Sequence, residues 1–125
     1  MSRWGIVAFV LTVVGLGCAT HPPADLSPVT GFDLNRYLGE WYEIARLDHR
    51  FERGLTNVTA QYALNDDGTV SVLNRGYDAR KGKWQEAEGK ARFRVERSVG
   101  SLEVSFFGPF YGGYHIVALD PDYQY

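Results

Sequence analysis

Cysteine is nearly absent from this 125-residue chain: Cys18 stands alone, so no internal disulfide can form. An excess of charge is lacking too. The formal net charge is −2 at pH 7 and no basic stripe stands out, which argues against nucleic acid as a partner. No apolar run reaches the ~20 residues that cross a bilayer as a helix. His21, His49 and His115 are too scattered for a metal site, and no second ligand type lies at a helical or hairpin spacing from any of them. No glycine-rich loop leads from a strand into a helix, so there is no phosphate cradle and no indicated cofactor. After Leu38 no apolar pattern of helical period appears.

Aromatic residues are plentiful. They make up 14% of the chain, with eight Tyr, seven Phe and three Trp, and they favour strands and apolar pockets. The length fits one domain. The most informative stretch is Tyr37 to Arg46, Tyr-Leu-Gly-Glu-Trp-Tyr-Glu-Ile-Ala-Arg. A tight turn at Gly39 delivers Trp41 onto the first residue of a strand, and short strands and turns follow. An aromatic at the end of a β-meander suggests the plugged end of a small barrel, and an apolar barrel interior is a container for an oily ligand.

The first segment reads as an address. Arg3 supplies a positive start, and Ile6 to Leu16 is an apolar run of signal-peptide length. Gly15-Leu16-Gly17-Cys18 then resembles a bacterial lipobox, although leucine falls one place later than usual. The expectation is a signal peptide over 1–17, cut before Cys18, with the thiol acylated by palmitate-like chains. Ala19, in place of aspartate after the cysteine, resembles the sorting pattern of outer-membrane lipoproteins. Residues 18–31 carry Pro22, Pro23 and Pro28 and no apolar period, which fits a semi-extended tether. The folded domain is then expected over 32–125.

Asp33 is an N-cap candidate for a single turn, expected as 3₁₀, ending at Leu38. Trp41 to Arg46 reads as strand A and Leu47 to Leu55 as a long loop. Val58, Ala60, Tyr62 and Leu64 alternate with polar or small residues, and Asn65-Asp66-Asp67-Gly68 is a strong hairpin turn. Strands are expected next over Val70–Gly76, Lys83–Val95 and Ser101–Phe106. Phe107 to Gly113 reads as a loop, and Tyr114 to Leu119 as strand F. Strands at this spacing, joined by hairpin turns, indicate an up-and-down antiparallel all-β meander.

These residues resemble a family. Asn35 to Arg46, with Gly39-Glu40-Trp41-Tyr42, is similar to the first lipocalin motif, and Asp120-x-x-Tyr123 resembles the second. Asp48 to Gly54 and Val104 to Tyr114 are similar to bacterial lipocalins, the outer-membrane lipoproteins related to apolipoprotein D. The resemblance covers Phe32 to Tyr125. It implies a lipocalin barrel represented by strands A–F, without strands G and H, the C-terminal helix, or the arginine that stacks in the family over the tryptophan corresponding to Trp41. Strands A and F would then keep unpaired edges, and the expectation is a partial gene product or incomplete record, unstable or aggregating when made alone.

With Gly39 and Trp41 as the floor motif, strand A points Trp41, Glu43 and Ala45 inward. The more apolar face of each later strand is taken as the ligand-facing one. This selects Val58, Ala60 and Tyr62, then Val70, Val72 and Asn74, then Ala87, Gly89, Ala91 and Phe93, then Leu102, Val104 and Phe106, and last Tyr114, Ile116 and Ala118; Val70, Ala87, Ala91, Leu102 and Ala118 are not counted among the ligand contacts. Each of these side chains could equally fill a core. Glu43 and Asn74 are the polar exceptions, open to a ligand headgroup or an ordered water. The aromatic Phe106–Gly113 loop is either packed on its own base or an apolar rim for lipid or a second subunit, so a homodimer is a candidate assembly.

Two functions of different class follow. The resemblance implies an anchored carrier that stores or transports fatty acids or lysophospholipids at the bacterial outer membrane, facing the periplasm, in envelope maintenance under stress. The other is a lipocalin-type enzyme, an isomerase or de-epoxidase, with Glu43 or Tyr62 as the reactive group. No catalytic constellation supports the second: Asp48-His49 has neither a nucleophile nor an oxyanion donor beside it.

Overall fold

The computed structural model describes residues 4–5, 20–47 and 53–125. Cys18 and the Asp48-His49 pair lie outside the described residues. One short helix, α1 (Leu34–Tyr37), accompanies seven strands: β1 (Trp4–Gly5), β2 (Gly39–Glu43), β3 (Leu55–Leu64), β4 (Val70–Asp78), β5 (Lys83–Phe93), β6 (Ser101–Phe107) and β7 (Phe110–His115). The strands form one sheet in the order β1-β2-β3-β4-β5-β6-β7. Pairing is antiparallel from β2 to β7, and β1, from the segment expected as a signal peptide, lies parallel to β2. The sheet is open, because no ladder joins β2 to β7 among the described residues.

The turn before β2 is α rather than 3₁₀. Tyr37 N–H donates to Asp33 O at 3.3 Å and Leu38 N–H to Leu34 O at 3.0 Å. Asp33 caps it, its carboxylate accepting from Asn35 N–H at 3.0 Å. Strand A is shorter than expected. β2 stops at Glu43, and its pairing with β3 ends at Tyr42–Thr59, the point where β3 shifts register against β4, with Asn57 at φ 50°. Ile44 and Ala45 are therefore exposed, against the inward placement expected for Ala45.

The last hairpin differs most from expectation. Gly108-Pro109 reverses the chain in two residues, Phe107 pairs with Phe110, and β7 begins inside the presumed loop. Past His115 the ladder ends. Ile116 is bonded through its N–H to Gly100 O and through its carbonyl to Val29 N–H, both at 2.8 Å. The end of the proline-rich segment is thus stitched to the domain. Gly100 N–H donates to Val29 O at 2.9 Å, Phe32 N–H to Ser98 O at 2.9 Å, and Thr30 bridges Val99.

An up-and-down order puts successive turns at alternate ends. The β3–β4 and β5–β6 turns share one end with α1, and we term this the floor. The β2–β3 loop, the β4–β5 turn and the β6–β7 tip share the other, the mouth. The core lies toward the floor, where Trp41, Tyr62, Val70, Ala91, Leu102 and Val104 are buried together with Phe32, Leu34 and Tyr37.

Candidate ligand-binding interior

Trp41 sets the geometry of the floor. Its indole N–H donates to Tyr37 O at 2.8 Å, and the Tyr37 ring stacks on it at 4.7 Å. Tyr37 thus covers the tryptophan in this chain, a contact not foreseen when no residue is assigned to stack there. The Phe32 ring meets Tyr37 edge-on at 5.3 Å, the residue before the cap against the fourth of the helix. That is a hydrophobic staple.

Three phenols converge above this floor. Tyr37, from α1, reaches Tyr114 on β7 with their hydroxyls 2.5 Å apart, and Tyr62 on β3 reaches the same hydroxyl at 3.0 Å. These bonds show that the open sheet is curled, since β3 and β7 are not neighbours in it. Burial, then the adjoining phenols, push Tyr37 and Tyr62 well above the ordinary phenol value, and burial also raises Tyr114. All three stay neutral donors and acceptors at physiological pH.

Beside the phenols lies an apolar cavity. Its walls are Val70 and Val72 from β4, Ala91 from β5, and Leu102 and Val104 from β6, with Phe32, Leu34 and the three tyrosines closing it. It has room for about one water-sized sphere, ≈ 20 Å³. The room for one small ligand that an eight-stranded barrel would offer is reduced at this level by aliphatic and aromatic side chains.

Of the residues expected to face a ligand, Tyr62, Val72, Val104 and Tyr114 wall this cavity. Ala60 and Ile116 are buried in the same core, and Phe93 packs on it. Glu43, Val58, Asn74, Gly89 and Phe106 lie further toward the mouth. Glu43 pairs with Arg46 at 3.1 Å, the two side chains 8% and 14% exposed respectively. The Arg46 guanidinium also donates to Leu55 O at 2.9 Å. Asn74 Oδ1 is buried with no hydrogen-bond donor. Gly89 lies under the Phe106 ring, and a Cβ there would sit 2.7 Å from it.

Phe32, Leu34 and Tyr37 are the wall residues that strand alternation misses, because they precede the sheet. The signal for two of them was present as the staple around Asp33. Among the described residues no group of three His, Cys, Asp or Glu side chains could hold a metal ion.

Comparison with known proteins agrees with this architecture. The chain matches the family described as lipocalin-like domain over residues 32–125. It is 57% identical over 121 residues to the outer membrane lipoprotein Blc of Citrobacter freundii, covering 96% of this chain and 68% of that one. With the protein of the same name from Escherichia coli K12 it shares 57% identity over 104 residues, 83% of this chain and 59% of the other. The chain thus spans about three-fifths to two-thirds of these relatives. A solved structure, the crystal structure of major allergens, Per a 4 from cockroaches, superposes with a TM-score of 0.58 at 21% identity, over 75% of this chain and 56% of that one. That likeness concerns the fold alone. Matched over most of its length by the family's sequence pattern and closely similar to bacterial relatives, the chain belongs to the lipocalins.

Proposed function

We propose that this protein is a lipid-binding lipoprotein of the bacterial outer membrane, held by acyl chains on Cys18 and facing the periplasm, which takes up fatty acids or lysophospholipids. The observation that carries this reading is the inner face of the curled sheet, which is aliphatic and aromatic from the Trp41 floor through the cavity. The two relatives named as outer membrane lipoproteins support the location. The interior as it stands is too small for an acyl chain, since pockets for such ligands run to hundreds of Å³. Uptake therefore displaces the Tyr37–Tyr114 contact or opens the side between β2 and β7. The buried Asn74 Oδ1, without a donor among the described residues, is the acceptor we assign to a hydroxyl or ammonium donor of a lysophospholipid headgroup.

Binding accounts for these groups better than catalysis does. Glu43 is engaged by Arg46, and the Tyr62 hydroxyl is held neutral in the phenol cluster. Titration of the protein with a fluorescent fatty acid tests the reading. Saturable one-site binding with quenching of tryptophan emission is the expected result. No saturable binding would refute it, and turnover of the bound lipid, abolished by Glu43→Gln or Tyr62→Phe, would replace it with an enzyme.

A further inference from the structure

We propose that the mouth end, led by the Phe107–Phe110 hairpin tip, docks on the surface of an anionic bilayer. Phe107 and Phe110 pair across the tip and are 79% and 76% exposed. Their neighbour Phe106 turns inward over Gly89, so the tip divides its aromatics between core and solvent. Gly108-Pro109 between the two exposed rings carries no charge. Exposed paired aromatics on a hairpin tip suit the interfacial layer of a membrane, where apolar rings enter and the backbone stays hydrated.

The charge distribution selects the lipid. The β4–β5 turn carries Arg80, Lys81 and Lys83, all exposed, and Arg80 donates to Arg53 O at 3.0 Å, tying this turn to the β2–β3 loop, whose sequence balances Arg50 and Arg53 with Asp48 and Glu52. Asp78, the acidic residue of that turn, is buried and bonded by Arg80 and Lys81 backbone N–H groups. The floor end mixes both signs: Asp33, Asp66, Asp67, Glu96 and Asp122 are exposed there, but so are Arg36, over the Tyr123 ring, and Arg97, and Lys90 pairs with Asp67 at 3.2 Å. An anionic surface is therefore attracted first to the basic turn beside the tip.

The path of the N-terminal segment agrees. From Val29, bonded at Ile116, the chain runs back along the outer face of β7, so that Thr20 O lies 3.1 Å from where a Cβ on Gly113 would be. It is heading for the mouth.

The test uses the full chain carrying Cys18→Ser, so that any binding is free of acyl chains. Its sedimentation with vesicles of phosphatidylethanolamine and phosphatidylglycerol is compared with that on pure phosphatidylcholine. The expected result is binding to the anionic vesicles that falls about tenfold or more with Phe107→Ser plus Phe110→Ser. Lys81→Gln and Lys83→Gln should each weaken it about fivefold, and Val95→Ser, at the floor end, should leave it unchanged. A Phe110→Trp variant should shift its emission to the blue on anionic vesicles, which reads the tip without removing its aromatic character. No vesicle binding by the parent, equal binding by the doubly substituted tip, or an unmoved Trp emission would overturn the proposal. So would sedimentation showing that the tip substitutions dissociate a dimer while leaving vesicle binding intact. Fatty-acid titration of the same variants keeps the two readings apart: docking without ligand uptake would refute the carrier alone, and uptake without docking would refute this surface alone.

Discussion

Trp41 is held by three independent restraints: it is 2% exposed, its N–H is bonded to Tyr37 O, and the Tyr37 ring covers it. Truncation would empty the floor and free α1 from β2. Trp41→Ala is expected to lower stability by about 3–5 kcal/mol, read from the urea midpoint. Trp41→Phe should recover most of the packing but not the indole bond. Tyr114 makes a different case. Its hydroxyl serves both Tyr37 and Tyr62, so Tyr114→Phe removes two bonds of the trio and leaves those phenols only each other, at about 1–3 kcal/mol. The same trio sets an alkaline limit. Folded-state phenol pKa values lie above the unfolded value of about 10, so their contribution is intact below that pH and is lost as pH climbs past it. Unfolding curves taken through that range should show a steep decline for the parent and a shallower one for Tyr114→Phe.

At the scale of elements, the β5–β6 ladder depends on a missing side chain. Gly89 admits the Phe106 ring because a Cβ would stand 2.7 Å from that ring and 2.9 Å from Ser105 O. The backbone oxygen cannot swing aside. Gly89→Val should therefore cost about 1–3 kcal/mol through overpacking; far-UV circular dichroism through a thermal melt would measure it, and an unchanged midpoint would count against the contact. Elements whose signals are local are legible in the sequence. The β3–β4 turn is one: Asn65 to Gly68 closes with Gly68 at φ 85°, and Asp67 accepts from Thr69 N–H at 2.9 Å. The start of β7 is not legible, because one proline and three glycines between Phe107 and Tyr114 suggest a loop, while pairing with β6 makes a strand of most of it. The end of β2 is hidden for a similar reason, since its pairing stops where β3 shifts register against β4. Part of the interior is open to reading by alternation, as Tyr62, Val72, Val104 and Tyr114 show. The side chains that close the cavity from α1 are not, because a helix outside the sheet has no register within it.

For the molecule as a whole, the two proposed attachments to lipid differ in strength. Acyl chains on Cys18 would hold with about 0.8 kcal/mol per buried CH₂, whereas a hairpin tip with basic neighbours is reversible and sensitive to salt. The parent should therefore leave membranes only with detergent. Cys18→Ser should come away in a high-salt wash, and its retention after that wash would contradict the anchor. The proposed docking of the tip and the basic turn beside it would also give the protein an orientation at the membrane that the tether alone would leave free.

The sequential strand order bears on how the chain assembles. Each ladder from β3 to β7 joins neighbours in sequence, so hairpins can form early, each closing only a short stretch of chain. Other contacts require remote segments to meet, among them the bonds of Val29 to Ile116 and of Asp33 to Tyr123, and that between Tyr37 and Tyr114, which are 77 residues apart. Curling is then a late event in folding. A population caught before it would hold its hairpins yet leave its oily face bare, and that interval is when such a chain would have most need of a chaperone.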